Sequence, residues 1–147
     1  DYDIINYNDG SIKIIDSVSE QTIFETNLVK EGYIDNAENL KLYITGSNTK
    51  RYLQLRDLYS RLNILIDIKN KTIINIPIEG ERVIKWSPSD ERVIIYLIGF
   101  DDEYPDDNIY LWDIENRNIE KIGEFNNRPL QWIPDEEYIL FRLLCSK

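Results

Sequence analysis

The chain has 147 residues, of which 42% are hydrophobic and 30% are charged, so it can bury a core of single-domain size and is not a disordered segment. Its 27 acidic and 17 basic residues give a net charge of -10, which repels phosphate groups and disfavours nucleic acids and anionic lipids as partners. The longest apolar run, Val93–Ile98, is much shorter than a membrane-spanning helix, so no membrane span is expected.

The N-terminal part predicts short strands separated by polar turns. Asn8-Asp9-Gly10 lies between the apolar stretch 3–7 and a strand that starts at Ser11, and Asp-Gly at such a place is a strong hairpin signal. Further strands are predicted at 22–26, 32–35 and 40–46, because these stretches are rich in β-branched and aromatic residues. Residues 11–46 are therefore interpreted as a first blade-like segment.

Residues 47–61 interrupt this pattern and are predicted to be an insertion. Leu55, Leu58, Tyr59 and Leu62 have helical spacing, whereas Tyr52-Leu-Gln-Leu55 also suits an extended strand. A strand or an irregular loop is favoured over a short helix.

Two further segments, 62–99 and 108–143, repeat each other. Three pairs of markers share one offset of 46 positions: Asp67 and Asp113, Trp86 and Trp132, and Pro88 and Pro134. A period of roughly 40 to 50 residues with four strands per period is typical of β-propeller blades. The sequence thus predicts a single all-β, β-propeller-like segment over 1–147, with about three four-stranded antiparallel blades.

Two of the predicted strands are apolar on both faces: Val93–Ile98 and Ile109–Trp112. A half-buried strand would alternate polar and apolar residues, so continuous apolarity indicates that both faces of the sheet are covered. Stacked blades provide this cover, because each sheet lies between two neighbours.

The second and third segments resemble the TolB-like, WD40-like β-propeller repeat. Trp86-Ser-Pro-Ser-Asp-Glu-Arg-Val-Ile-Ile-Tyr96 resembles the family motif Trp-Ser-Pro-Asp-Gly-Lys-x-Leu-x-Phe, and Trp132-Ile-Pro-Asp-Glu-Glu-Tyr-Ile-Leu-Phe141 is similar to a second copy. Asn108-Ile-Tyr-Leu-Trp-Asp113 resembles the strand that follows the motif in the family. The turn glycine of the family is missing from both copies, and the first segment has no Trp-Ser-Pro.

The resemblance also raises the question of closure, since family propellers close with roughly six to eight blades. Three blades leave two open sheet faces, and exposing large apolar faces to water is unfavourable. Three alternatives remain open at this point: a fragment of a longer propeller, a homodimer that completes a ring, and a compact variant.

The chain contains no histidine, which excludes Ser-His-Asp and Cys-His catalysis and histidine metal sites. Its one cysteine, Cys145, cannot form an internal disulfide. This fits a reducing compartment and also fits bacterial exported proteins that lack disulfides, so the location stays open, with an extracytoplasmic one slightly favoured. No resident cofactor is expected.

The densest group of oxygen donors is the acidic loop after Phe100. It suits Ca²⁺ by chemistry but lacks the EF-hand spacing, so a solvated acidic hairpin loop is favoured over a metal site. The candidate Ca²⁺ ligands are Asp101, Asp102, Glu103, Asp106, Asp107 and Asn108.

Other conspicuous residues occupy equivalent repeat positions, which are normally packing or turn positions. Trp86 and Trp132 are therefore predicted to lie in the core rather than in a stacking site for ligands. Asp16, Asp67 and Asp113 are predicted to cap turns.

These observations favour a non-catalytic binding or scaffolding module that meets protein or peptide partners on a propeller face or along blade edges. One alternative is an accessory propeller of a prolyl oligopeptidase-like hydrolase whose catalytic domain lies outside this chain. Another is a surface module that binds glycans or Ca²⁺.

Overall fold

The computed structural model describes residues 1–57, 62–78, 82–97, 108–124, 129–132 and 139–141. Across these ranges the regular structure consists of β-strands in antiparallel sheets, which confirms the all-β, partial β-propeller prediction. Within the same ranges, no helix is long and apolar enough to cross a membrane.

The chain divides into two compact units, Asp1–Ile76 and Pro77–Lys147, and each is described by itself. The first unit holds two sheets. The first sheet has three strands in the order β1-β2-β3: β1 (Tyr2–Asn6), β2 (Ser11–Asp16) and β3 (Thr22–Asn27). The second sheet has four strands in the order β4-β5-β6-β7: β4 (Leu42–Gly46), β5 (Tyr52–Asp57), β6 (Asn63–Asp67) and β7 (Thr72–Asn75).

The second unit holds the other two sheets. The third sheet has four strands in sequence order: β8 (Arg82–Trp86), β9 (Arg92–Leu97), β10 (Asn108–Asp113) and β11 (Asn118–Glu124). The fourth sheet pairs β12 (Pro129–Trp132) with β13 (Ile139–Phe141). The prediction of a single continuous segment over 1–147 stays a prediction.

The predicted repeat boundaries do not coincide with the sheet boundaries. Segment 62–99 takes β6 and β7 from the second sheet and β8 and β9 from the third, and segments 11–46 and 108–143 likewise span two sheets. The 46-residue offset therefore relates equivalent strands, but the second and third sheets begin two strands before the predicted starts, and the first sheet begins one strand before. The acidic stretch 100–107 separates two predicted segments, but β9 and β10 on either side of it pair with each other and belong to one sheet.

The prediction that residues 47–61 form an insertion is wrong for the described part, 47–57. They contain β5, which pairs with both β4 and β6 and is thus a central strand of the second sheet. Tyr52, Leu53 and Leu55 are buried there, which explains why apolar residues stand on both faces of this stretch. Conversely, the strand predicted at 32–35 does not form, since the N–H groups of Tyr33 and Ile34 both donate to the Leu28 carbonyl.

The first and second sheets pack face to face around one core. Ile12, Ile14 and Phe24 of the first sheet share a cluster with residues of β5 and β6, namely Leu53, Leu55, Ile64 and Ile66. These side chains are at most 7% exposed, so the packing of sheet on sheet excludes water.

The third and fourth sheets pack in the same way in the second unit. Ile94 and Ile109 of the third sheet contact Trp132 of the fourth, and all three are buried. The indole Nε1 of Trp132 also donates a hydrogen bond to the Lys85 carbonyl at 3.2 Å. Trp132 therefore joins two sheets through its ring and its single N–H donor.

Gly10 and Gly32 allow a test of how tightly the first unit is packed. Both have left-handed backbone, with φ of 83° and 76°, so alanine at either position costs about 1–2 kcal/mol of conformational energy. A Cβ on Gly10 would in addition lie 2.4 Å from Cγ2 of Val29, whereas one on Gly32 would meet nothing within 4 Å. We expect Gly10→Ala to lower the free energy of unfolding by about 1–3 kcal/mol more than Gly32→Ala, measured by urea titration. An equal loss in the two variants would contradict the packing of Val29 on this turn.

Candidate functional site

Asp16, Asp67 and Asp113 form the same turn in three sheets, which confirms their predicted role. Each ends the strand β2, β6 or β10, and each carboxylate accepts a backbone N–H donated from three residues further on. The following residue then takes positive φ in each turn: Glu20 at 57°, Lys71 at 54° and Arg117 at 53°. These carboxylates thus hold the turns in place through local hydrogen bonds.

Asp67 differs from its two counterparts because it is only 2% exposed. Its Oδ2 accepts hydrogen bonds from Nη2 of Arg51 at 3.3 Å and from Nδ2 of Asn70 at 2.9 Å. The Arg51 guanidinium also lies 4.7 Å from the centre of the Tyr52 ring. The buried charge is therefore compensated by a cation and an amide, which is the arrangement expected of a structural ion pair.

A second repeated turn precedes β5 and β9, and the sequence analysis did not anticipate it. Ser47 and Ser87 are buried, and each accepts a backbone N–H on its hydroxyl, from Tyr52 and from Arg92 respectively, at 3.1 Å. Asp90 stands where the resembled motif has its turn glycine, and it takes a positive φ of 65°. The sequence feature that could have indicated these turns is a serine five residues before the start of β5 and of β9.

Two of the three tryptophans are buried packing residues. Trp112 and Trp132 are 3% and 9% exposed, which confirms the predicted core role of Trp132. Trp86, at the equivalent position in β8, is partly buried.

The predicted Ca²⁺ site lies almost entirely outside the described residues. Asp101, Asp102, Glu103, Asp106 and Asp107 fall in that part of the chain, while Asn108 begins β10 and donates from Nδ2 to the Tyr110 hydroxyl at 3.3 Å. Among the residues that the structure describes, no group of three or more acidic, histidine or cysteine side chains could hold a metal ion. Ca²⁺ binding by this loop stays a prediction.

Among the residues that the structure describes, the large exposed apolar side chains lie in the first unit. Ile5, Tyr7 and Tyr43 are 41%, 42% and 48% exposed, and they lie on β1, directly after β1 and on β4. Ile4 of β1 and Ile44 of β4 pack on the shared core, so Ile5 and Tyr43, their neighbours along the strands, point away from that core on opposite sides. Tyr7 lies on the side of Ile5, next to Lys13, and we call Ile5 and Tyr7 the apolar patch.

Charged groups border the apolar patch on the outer face of the first sheet. The Nζ atom of Lys13 lies 5.9 Å from the centre of the Tyr7 ring and 3.6 Å from a carboxylate oxygen of Glu25. Asp3 is exposed on β1 itself. This combination of aromatic, aliphatic and charged groups suits contact with a polypeptide.

Comparison with known proteins adds little to this description. Neither a protein-family profile nor a curated protein sequence matches the chain. One similar solved structure is a dihydro-heme d1 dehydrogenase, NirN, in complex with DHE, with 15% sequence identity and a TM-score of 0.48. The match covers 82% of this chain and 23% of that one, so the chain spans less than a quarter of its length.

The repeated carboxylate turns predict a loss of stability in acid. Hydrogen bonds from Ser11 lower the pKa of Asp9, backbone N–H groups of Ser19 and Val18 lower that of Asp16, and the Asn116 side chain lowers that of Asp113. Since the unfolded carboxyls titrate near 3.8, their contribution is complete above that pH and is lost as the pH falls through the lower folded pKa values.

We therefore expect the urea midpoint to fall between about pH 5 and pH 2.5, and the double variant Asp16→Asn, Asp113→Asn to lose part of this dependence. Asparagine keeps a capping oxygen but does not titrate, so the double variant isolates the protonation of these two turns. An identical acid response in the double variant would show that the two turns do not supply it.

Because Asp67 is buried, we expect its substitution to cost more stability than the same substitution at the two equivalent aspartates. Asp67→Ala leaves a partly buried guanidinium and an amide without this acceptor, so we expect a loss of about 1–3 kcal/mol in the free energy of unfolding. The same change at Asp16, which is less buried than Asp67, is the matched control and should cost less. Equal losses in urea titration would contradict the assignment of Asp67 to a buried ion pair.

Proposed function

We propose that this chain is a non-catalytic binding or scaffolding module of β-propeller type that engages a protein or peptide partner. The observation that carries the proposal is the apolar patch on the first unit, in a chain whose net charge is -10. Exposed aromatic and branched side chains bordered by charges are the usual composition of a polypeptide-binding surface.

The structural use of the repeated polar positions supports the same proposal. Asp16, Asp67, Asp113, Ser47 and Ser87 hold turns together. They are scaffold groups, and the chain lacks the histidine that most acid-base and nucleophilic sites employ. Binding through apolar contact and charge requires neither an acid-base residue nor a nucleophile.

The charge of the module defines the class of partner. A surface with excess carboxylates attracts basic segments and accelerates their association at low ionic strength. The partner is accordingly a polypeptide segment that combines Lys or Arg with apolar residues.

The test is a selection of random displayed peptides on the immobilised chain. We expect the enriched sequences to combine basic with β-branched or aromatic residues, and their binding to weaken with salt. Ile5→Asp with Tyr7→Asp should reduce binding of the selected peptides about tenfold or more, because charges replace the apolar contact area.

Val18→Asp is the matched control for this experiment. Val18 is 88% exposed but belongs to the turn after β2 and lies outside the apolar patch, so its substitution should leave binding unchanged. Enrichment of no peptide above background would overturn the proposed function, as would equal losses in the patch variant and the control.

A further inference from the structure

Three side chains that carry hydrogen-bond donors form one row across the second sheet. Tyr43 of β4 is directly opposite Arg56 of β5, and Arg56 is directly opposite Asn63 of β6. Residues at directly opposed positions stand on the same face of a sheet, with their Cβ atoms about 4.5–5.5 Å apart. We call these three residues the donor row.

The donor row lies on the face of the second sheet that points away from the shared core. Its chain neighbours Ile44, Leu55 and Ile64 pack on that core, so the side chains of the row project from the other face. Solvent reaches the row, since Tyr43 is 48% exposed and Arg56 is partly exposed. The apolar patch lies on the opposite side of the unit, so the donor row is separate from the surface on which the proposed function rests.

Asn63 carries a buried donor that has no acceptor. Its Oδ1 accepts a hydrogen bond from Nε2 of Gln54 at 2.8 Å, which orients the amide and turns Nδ2 away from Gln54. This Nδ2 atom is almost inaccessible to solvent and finds no hydrogen-bond partner among the residues that the structure describes. Buried polar groups in native proteins are nearly always hydrogen-bonded, so an unmet donor indicates an acceptor supplied from outside the chain.

The Arg56 guanidinium also lacks a counterion in the second sheet. The four strands of this sheet contain two carboxylates, Asp57 and Asp67. Asp57 is on the core side, where it accepts the Lys41 backbone N–H at 2.7 Å, and Asp67 at the other end of β6 is paired with Arg51. A partly buried cation without an anion is unfavourable, and a bound anion would remove this cost.

The donors of the row suit a carboxylate group. A guanidinium donates from paired N–H groups that match the two oxygens of a carboxylate, and an amide N–H and a phenol O–H can donate to the same oxygens. Phosphate has similar oxygens, but the net charge of -10 repels a doubly charged group more strongly than a singly charged one.

We propose that the donor row binds a carboxylate, which the Arg56 guanidinium and Nδ2 of Asn63 hold from two sides, with the Tyr43 hydroxyl at the exposed end. Rotation of the Arg56 side chain gives the ligand access to Nδ2. The carboxylate belongs either to a small free acid or to the C-terminus of a polypeptide, and both present the same two oxygens to the row.

The first probe is sodium propionate, added to the isotope-labelled chain at constant ionic strength with sodium chloride as the balancing salt. We expect the side-chain resonances of Arg56 Nε–H and Asn63 Nδ2 to shift in a saturable manner. The midpoint of thermal unfolding should rise with the propionate concentration, because a ligand that binds only the folded chain stabilises it.

A second pair of probes, acetyl-dialanine and its C-terminal amide, separates the two sources of the carboxylate. Tighter binding of acetyl-dialanine than of propionate identifies a polypeptide C-terminus, and equal or weaker binding identifies a small free acid. The amide has no carboxylate and should not bind, so binding of the amide as tight as that of the acid would overturn the proposal.

Arg56→Gln and Arg117→Gln form the matched pair of variants. Each removes one positive charge, but Arg117 is exposed in the turn after β10 and lies outside the donor row. We expect Arg56→Gln to weaken propionate binding about tenfold or more, and Arg117→Gln to bind within about twofold of the original chain. If Arg56→Gln unfolds, Arg56→Lys takes its place, since lysine keeps the charge but lacks the paired N–H groups, and it should weaken binding about threefold or more.

Three further results would overturn the site. The first is the absence of saturation by propionate, and the second is the same saturable shifts with chloride in place of propionate. The third is equal affinity in the Arg56 and Arg117 variants, which would place the carboxylate elsewhere. Each of them leaves the proposed function standing, because peptide binding at the apolar patch does not involve the donor row.

Discussion

The fold depends on central strands whose side chains are buried on both faces of the sheet. In β5, Leu53 and Leu55 pack into the core shared with the first sheet, while Tyr52 and Gln54 on the opposite face are buried as well. A sheet with such strands is stable only when both faces are covered, because burial of this apolar area is its main favourable free energy. This requirement produces the packing of sheet on sheet within each unit, and the turns at Asp67 and its equivalents connect neighbouring strands of each sheet.

The first sheet meets the same requirement on one face only. Ile12 and Ile14 are fully buried against the second sheet, whereas the outer face carries the charged side chains of Asp3 and Lys13. Ile5 and Tyr7 are exposed beside these charges on the same face.

The sequence predicts the length of the repeat better than it predicts the strand at which each sheet begins. Equal spacing of Trp86 and Trp132 marks equivalent strands, yet it carries no information about where hydrogen bonding between strands stops. That boundary depends on pairing across the loop between β9 and β10, which is a tertiary property. The strand β5 was hard to predict because Leu55 has helical spacing with later leucines. The turn at Asp90 was hard to predict because no glycine marks its positive φ. Asp67 and its two counterparts were predictable because Asx capping is local chemistry.

Residue-resolved hydrogen exchange of the chain alone tests the central claim most directly. The account predicts protection at every residue from Leu53 to Arg56, because β5 is bonded on both sides. It predicts alternation along β1, where Asp3 and Ile5 exchange slowly and Ile4 and Asn6 quickly. Alternating protection in β5, or uniform protection along β1, would contradict the arrangement of sheets described above.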